Sequence, residues 1–171
     1  MNKYEFTGKT KPLFGRTLRQ IQAKVAFGPV EAGEVGGWIE KEENLSDHGD
    51  AWVSGNAQVS GNAQVYGNAQ VSGNALVYGN ALVYGNAQVY RDAWVSKQSH
   101  FLCIGPIGSR YDFTTFFRTK NYEIYVKCGC FCGNIHEFAE NVSKTHFDSI
   151  YAKQYMAAIV TAKACIDLAR E

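Results

Sequence analysis

A six-residue repeat occupies the middle of this 171-residue chain. From residue 51 to residue 96 the sequence follows the pattern A-x-V-x-G-N, and the last unit degenerates to Arg91-Asp92. Self-similarity at a short, fixed period is typical of a solenoid, in which each repeat stacks on its neighbours. A period of six residues predicts a β-helix, and therefore a scaffold of stacked coils.

Alternation along each repeat predicts which side chains face the core. The alanine and the valine are two residues apart and lie on the same side of a strand, so this apolar pair should point inward. Gly-Asn should turn the corner, because both residues tolerate positive φ. Three such sides make a triangular coil of 18 residues, and stacking the coils should place Asn over Asn in a hydrogen-bonded ladder.

The repeat resembles the hexapeptide repeat of left-handed β-helices, which are found in many acyltransferases. This resemblance implies a left-handed helix and a trimeric assembly. A right-handed, bactofilin-like β-helix is the alternative. The fold class is therefore mainly β: a short triangular β-helix with additions at both ends.

The flanking sequence predicts three segments. Residues 1–36 should form an N-terminal β cap with two strands joined through residues 8–15, and residues 37–98 should form the β-helix. Residues 99–171 should form a C-terminal region that begins with a turn-rich link at residues 105–108.

The C-terminal region is predicted to hold a β-hairpin and two α-helices. Residues 111–118 and 122–131 alternate as two paired strands. Asn134 is a good N-cap, and Glu137 follows three residues later as in a capping box. A second helix should begin near Asp148.

Charge and composition argue against several classes of protein. The net charge is +1, from 17 basic and 16 acidic residues, so we expect no nucleic acid polymer as a partner. No run of about 18 apolar residues is present, and the N-terminus lacks the apolar region of a signal peptide. We therefore expect no membrane association, a cytoplasmic location, and free thiols at the five cysteines.

The outward-facing residues of the repeat predict a homo-oligomer. Residues 51–90 contain no charged residue, although an exposed β-helix surface would normally carry some. Two of the three outer faces also bear leucine and aromatic side chains, at Leu76, Tyr78, Trp94, Tyr66, Leu82 and Tyr84. These faces should be covered by the C-terminal region or by another subunit, and a trimer is the expected assembly.

Histidine and cysteine give little support for catalysis or metal binding. His48 and His100 flank the repeat and are the candidates for the general base of an acyltransferase-like enzyme, but the repeat itself contains no histidine. We therefore predict no catalytic residue and no cofactor.

The cysteine run Cys128-x-Cys130-x-Cys132 is followed by His136. In one strand these three thiols would share a face, whereas zinc sites usually use C-x-x-C spacing. We predict no metal site and thiols buried under a helix. A thiol nucleophile with His136 or His146 as its base would lack a group to orient that base.

A set of aromatic and basic residues suggests a phosphorylated ligand. Basic residues and tyrosines cluster around the predicted hairpin, where arginine could bind phosphate and an aromatic ring could hold a base. The predicted ligand-binding residues are Tyr66, Tyr84, Arg110, Arg118 and Lys127.

The chain as a whole resembles uncharacterised phage and prophage proteins. The resemblance lies in the segment GGWIEKEENLS at residues 36–46, the Gly-Asn-Ala repeats, Cys128-Gly129-Cys130-Phe131, Glu137-Phe138 and a tyrosine-rich helix. Because the sequence shows no assembled catalytic set, we predict a non-enzymatic binding protein. The resemblance implies that it is phage-encoded and antagonises host defence, for which we predict sequestration of a nucleotide immune signal in an oligomer. The alternatives are an inhibitor that blocks a host defence protein, a structural virion component, and an acyltransferase-like enzyme.

Overall fold

Two units make up the chain, Met1–Gln98 and Ser99–Glu171. The computed structural model describes residues 2–170. The protein is mainly β, with a solenoid of about three turns in the first unit and two α-helices in the second.

The N-terminal hairpin is longer than the sequence predicts. Strands β1 (Tyr4–Leu13) and β2 (Arg16–Ala23) pair antiparallel, and β3 (Val35–Ile39) pairs with β2. The prediction that residues 8–15 connect two short strands is wrong. β1 passes through Gly8 by means of an irregularity in its register, and the chain turns only at Phe14-Gly15. Positive φ at Gly8 permits this bulge.

Eight two-residue strands build the solenoid. They are β4 (Trp52–Val53), β5 (Gln58–Val59), β6 (Gln64–Val65), β7 (Gln70–Val71), β8 (Leu76–Val77), β9 (Leu82–Val83), β10 (Gln88–Val89) and β11 (Trp94–Val95). Strands that lie one coil apart pair in parallel, so that Val53 lies beside Val71 and Val71 beside Val89. The 18-residue step predicted from the repeat is therefore the step of the hydrogen-bonded register.

The predicted interior and the predicted ladder are both confirmed. All eight alanines and eight valines of the repeat are at most 2% exposed. At the corners the Asn62 amide donates to Asn80 at 3.2 Å, and the Asn68 amide donates to Asn86 at 3.1 Å. Each coil therefore offers the next one a matched apolar surface and matched amides.

A buried asparagine closes the first coil. Asn44 is fully buried, and its Oδ1 accepts hydrogen bonds from the backbone N–H groups of Glu40 and Lys41. Its Nδ2 donates to the carbonyls of Gly61 and Ala63 in the coil above. One side chain thus satisfies four backbone groups at the start of the solenoid.

Part of the aromatic outer surface is covered by the N-terminal segment. Phe27 packs edge-on against Trp52, which is 2% exposed, and Phe14 at the hairpin turn lies 6.3 Å from the ring of Tyr78. The sequence predicted cover from the C-terminal region or from another subunit, and did not identify this contribution.

The second unit is a four-stranded antiparallel sheet with a helix pair. Its strands are β12 (Phe101–Ile107), β13 (Asp112–Arg118), β14 (Ile124–Cys128) and β15 (Phe131–Asn134), in that spatial order. The sequence predicted one hairpin here. The link predicted at residues 105–108 lies largely within strand β12. The strand predicted at residues 122–131 is divided by a turn at Gly129-Cys130, where Gly129 has a φ of +54°.

Helices α1 (Ile135–His146) and α2 (Ile150–Cys165) follow the sheet. The predicted capping box at α1 is confirmed, because Asn134 accepts from the Glu137 N–H and the Glu137 side chain accepts from the Asn134 N–H. Phe116 and Val126 of the sheet form one core with Phe138 and Ile159 of the helices. Within residues 2–170, neither helix is long and apolar enough to cross a bilayer.

Candidate functional site

The predicted ligand-binding residues are divided between the two units. Tyr66 and Tyr84 belong to the solenoid, whereas Arg110, Arg118 and Lys127 belong to the second unit. The two groups are therefore described separately.

Tyr66 and Tyr84 form a stacked pair on the outside of the solenoid. Their ring centroids are 5.5 Å apart with an interplanar angle of 16°, and the residues are 36% and 46% exposed. A third ring inserted between them would need roughly 7 Å, which is twice the contact distance of carbon atoms. A ligand base could therefore stack on the outside of this pair but could not be sandwiched within it.

Arg118 is an interior residue of the second unit. It is 2% exposed, its guanidinium donates to the Ala169 carbonyl at 3.1 Å, and it lies over the ring of Tyr122. The hydrogen bond to Ala169 holds the segment that follows α2. A ligand phosphate could reach this guanidinium only if that segment moved.

Lys127 and Arg110 both lie at the turn between β14 and β15. The Lys127 ammonium donates to the carbonyl of Gly129. A Cβ placed on Gly129 would lie 3.5 Å from Nη1 of Arg110, so the Arg110 guanidinium lies beside the same turn. Arg110 is exposed and has no ion pair within residues 2–170.

Arg110 lines a cleft of about 200 Å³ within the second unit, which we call the Arg110 cleft. Its apolar lining comes from Phe131, Phe138, Val142 and Tyr155. Its polar lining comes from Ser109, Arg110, Asp112, Asn141, Thr145 and His146, and two thiols, Cys128 and Cys130, complete it.

Close packing of α2 on the sheet fixes one wall of the cleft. The Tyr155 phenol lies against Gly108, where any Cβ would overlap its hydroxyl group. The Gly108 N–H donates to Oε1 of Gln154 at 2.7 Å, which holds the β12–β13 turn against the helix. Gly108 has a φ of +75°, a second reason for glycine at this position.

The Tyr155 phenol keeps its proton and is a hydrogen-bond donor in the cleft. Burial, together with the neighbouring Cys128, raises the pKa of Tyr155 to about 12, so the phenol is neutral at physiological pH. The Thr114 hydroxyl lies 3.3 Å from Sγ of Cys128, and the His146 ring packs against Tyr155 with centroids 5.5 Å apart. The neutral phenol, the Arg110 guanidinium and the Asn141 side-chain amide are donors that could bind an anion, and Asp112 adds a carboxylate to the same lining.

The sequence predicted that the three clustered cysteines share one face of a strand. The structure shows that they do not. Cys128 ends β14 and packs on the helix side, Cys130 is exposed in the turn, and Cys132 pairs with Lys127 in a register that places it on the opposite face. Burial of these thiols under a helix is also wrong, because none of the three is fully buried. In the part of the chain that the structure describes, no cluster of three or more His, Cys, Asp or Glu side chains is placed to hold a metal.

The two histidines considered as general bases differ in environment. His48 is exposed in the first unit and His100 is fully buried in the second. Neither lines the Arg110 cleft, whereas His146 does. The sequence did carry a signal for that cleft wall, because Phe138, Val142 and Thr145 follow helical spacing on α1.

One comparison with known proteins concerns the repeat. None of the curated proteins matches the chain significantly. Residues 69–85 match a family model described as the YdcK beta solenoid repeat. This stretch of 17 residues runs from the start of β7 to the turn after β9, one residue short of a full coil of the observed register. Over these residues the chain is similar to that repeat, and both the match and the strand pairing support a repeat of the β-solenoid kind.

Proposed function

We propose that this chain is a non-enzymatic binding protein that holds a small phosphorylated ligand of the nucleotide class in its Arg110 cleft. The observation that carries this proposal is an exposed guanidinium, without an ion pair in residues 2–170, at a cleft lined by aromatic rings. Of the five residues predicted from the sequence, Arg110 is the one whose position fits a ligand best.

Each part of such a ligand has a matching group. Arginine can bind phosphate oxygens through two parallel N–H groups. The rings of Phe131 and Tyr155 offer apolar surface for a base, and the Asn141 side chain offers a donor and an acceptor for its edge. The cleft volume of about 200 Å³ is below the roughly 300–1,000 Å³ of most small-molecule pockets. One ring or one phosphate-bearing end would therefore enter, and the rest of the ligand would lie at the mouth.

Binding without turnover is part of the proposal. Holding a phosphate needs no general base. The resemblance to phage and prophage proteins supports a role in the host cytoplasm, where sequestering a nucleotide signal would antagonise defence. The hexapeptide resemblance supports a left-handed, triangular helix and a trimer.

A second candidate function is contact with a host defence protein. The observation that favours it is the exposed tyrosine stack of the solenoid, where Tyr66 and Tyr84 project from a segment without any charge. Tyrosine is enriched in protein interfaces because it supplies large area at low entropic cost. A role as a virion component would use the same surface.

Recovery of bound nucleotide tests the proposed function. The purified protein is incubated with mononucleotides, cyclic nucleotides and ADP-ribose, separated from free ligand and heat-denatured. We expect at least one nucleotide to be released chemically intact, and less of it from Arg110→Gln than from the matched surface variant Arg91→Gln. A chemically altered nucleotide would indicate an enzyme, and no retention of any member would favour the protein-contact function.

A further inference from the structure

We infer that Cys130 and Cys128 are a redox pair that reacts with an anionic disulfide such as oxidised glutathione, and that the resulting internal disulfide weakens ligand binding in the Arg110 cleft. The effect on the ligand rests on the proposed function. The formation of the disulfide does not.

The tight turn between β14 and β15 gives the two cysteines a Cα separation that a disulfide can span. Cys128 pairs with Phe131, so Gly129 and Cys130 are the two central residues of a tight turn. In such a turn, Cα atoms two residues apart lie about 5–6 Å from each other, inside the range of about 4.4–6.8 Å that a disulfide spans. Cys132 follows in an extended strand, where the same separation is about 6.5–7 Å.

Exposure and charge favour attack at Cys130. This cysteine is exposed, whereas Cys128 is half-buried in the lining of the cleft. Two cations lie at the same turn, because Lys127 donates to the Gly129 carbonyl and the Arg110 guanidinium lies beside Gly129. Reactive cysteines occur in partly exposed, electropositive surroundings of this kind, and glutathione disulfide carries net negative charge.

The reaction is a pair of thiol–disulfide exchanges. The Cys130 thiolate attacks one sulfur of oxidised glutathione, whose S–S bond breaks, and the first glutathione leaves as a thiolate. The Cys128 thiolate then attacks the Cys130 sulfur of the mixed disulfide and releases the second glutathione. The two cysteines lose two electrons and two protons in total, and the glutathione disulfide is reduced to two thiols.

Formation of the disulfide would move the Cys128 sulfur, which lines the Arg110 cleft. Sγ of Cys128 now lies 3.3 Å from the Thr114 hydroxyl and interacts with the Tyr155 phenol. A bond to Cys130 would draw this sulfur away from both groups and fix the turn beside Arg110. We expect nucleotide affinity to fall about tenfold, within the usual range for coupling between two sites.

Thiol mapping tests the redox pair itself. Cys128, Cys130 and Cys132 share one tryptic peptide, residues 128–144, so the experiment uses the Cys132→Ser background. The folded protein is treated with oxidised glutathione, free thiols are alkylated, and the peptide is sequenced by mass spectrometry. We expect a Cys128–Cys130 disulfide in the parent, retained glutathione on Cys130 in Cys128→Ser, and a reduced Cys128 in Cys130→Ser. A parent that stays reduced at both thiols, or a Cys130→Ser variant in which Cys128 is thiolated as fast as Cys130 in the parent, would overturn the inference.

Titration of the reduced and oxidised forms with adenosine monophosphate tests the effect on the cleft. We expect weaker binding after oxidation and recovery after reduction with dithiothreitol. Equal affinities in the two forms would overturn the coupling. A disulfide without nucleotide binding in either form would remove the proposed function and leave the redox pair standing, whereas binding without a disulfide would remove the redox pair alone.

Discussion

The ring of Tyr84 lies nearly parallel to the ring of Tyr66, one coil away, with their centroids 5.5 Å apart. The stack follows directly from the register, because β6 and β9 pair residue for residue at an 18-residue step. Side chains at equivalent positions of successive coils therefore form a row on the outside of the solenoid. We propose that a second copy of the chain makes contact along this row.

Removing the tyrosine stack should change the size of the assembly. If the uncharged solenoid surface supports a homo-oligomer, the double variant Tyr66→Ser, Tyr84→Ser should shift the mass measured by light scattering toward that of the 18.9 kDa monomer. Tryptophan fluorescence should stay native, since all three tryptophans lie in the solenoid unit and report its folding. Tyr90→Ser, on a different face, is the matched control and should leave the mass unchanged. A wild-type protein that is already monomeric would rule out the oligomer.

Asn44 should contribute far more to stability than an asparagine of the ladder. Asn44→Ala leaves four buried or partly buried backbone groups without their partner, and we expect a loss of about 3 kcal/mol. Asn62→Ala removes one exposed amide contact and should cost about 1 kcal/mol or less. Urea unfolding followed by tryptophan fluorescence measures both. Equal losses for the two variants would mean that Asn44 does not hold the first coil.

The periodicity of the sequence was sufficient to predict the solenoid, because the same contacts between side chains repeat from coil to coil. Val71 has the same neighbours as Val53 one coil earlier, so a local pattern specifies a long-range register. The capping box at Asn134 was predictable for a similar reason, since it involves residues only three positions apart.

The second unit was harder to predict because its structure depends on contacts that are distant in sequence. Strand β12 was hidden by glycine and proline, and Gly129 divides a segment whose composition reads as one strand. Burial of Arg118 depends on the Ala169 carbonyl, 51 residues away. The Arg110 cleft joins the β12–β13 turn, the β14–β15 turn and both helices, so no single motif could reveal it.

The contact between Gly108 and Tyr155 should tolerate no side chain. In Gly108→Ala the new methyl group would overlap the Tyr155 hydroxyl, and the φ of +75° would add backbone strain. We expect a loss of about 3 kcal/mol or more from these two effects. Gly129→Ala has a similar φ of +54° but meets only the flexible end of Arg110, and should cost about 1 kcal/mol. Helical circular dichroism during urea unfolding reports on the second unit, because both helices lie there. Comparable losses of unfolding free energy in Gly108→Ala and Gly129→Ala would show that the Tyr155 phenol can move away from the new methyl group.

Alkaline pH should destabilise the second unit through Tyr155. Burial first, and Cys128 second, raise the pKa of this phenol from 10.0 to about 12 in the folded chain. The folded state therefore holds the proton more tightly than the unfolded state. The stabilisation is complete below about pH 10 and is lost as the pH rises from about 10 to about 12. Tyr155→Phe should flatten this part of the stability profile, whereas Tyr111→Phe, at an exposed residue, should not. An unchanged profile in Tyr155→Phe would show that other groups determine the alkaline limit.

Calorimetric titration with adenosine monophosphate and with adenosine tests ligand binding in the Arg110 cleft most directly. A charged hydrogen bond to phosphate is worth about 1.5–3 kcal/mol, so the wild-type protein should bind the monophosphate at least about tenfold more tightly than the nucleoside. Arg110→Gln should abolish that preference and leave the weak affinity for adenosine unchanged, while Arg91→Gln should retain the preference. A phosphate preference that survives in Arg110→Gln, or is lost equally in Arg91→Gln, would contradict the assignment of the cleft as the ligand site.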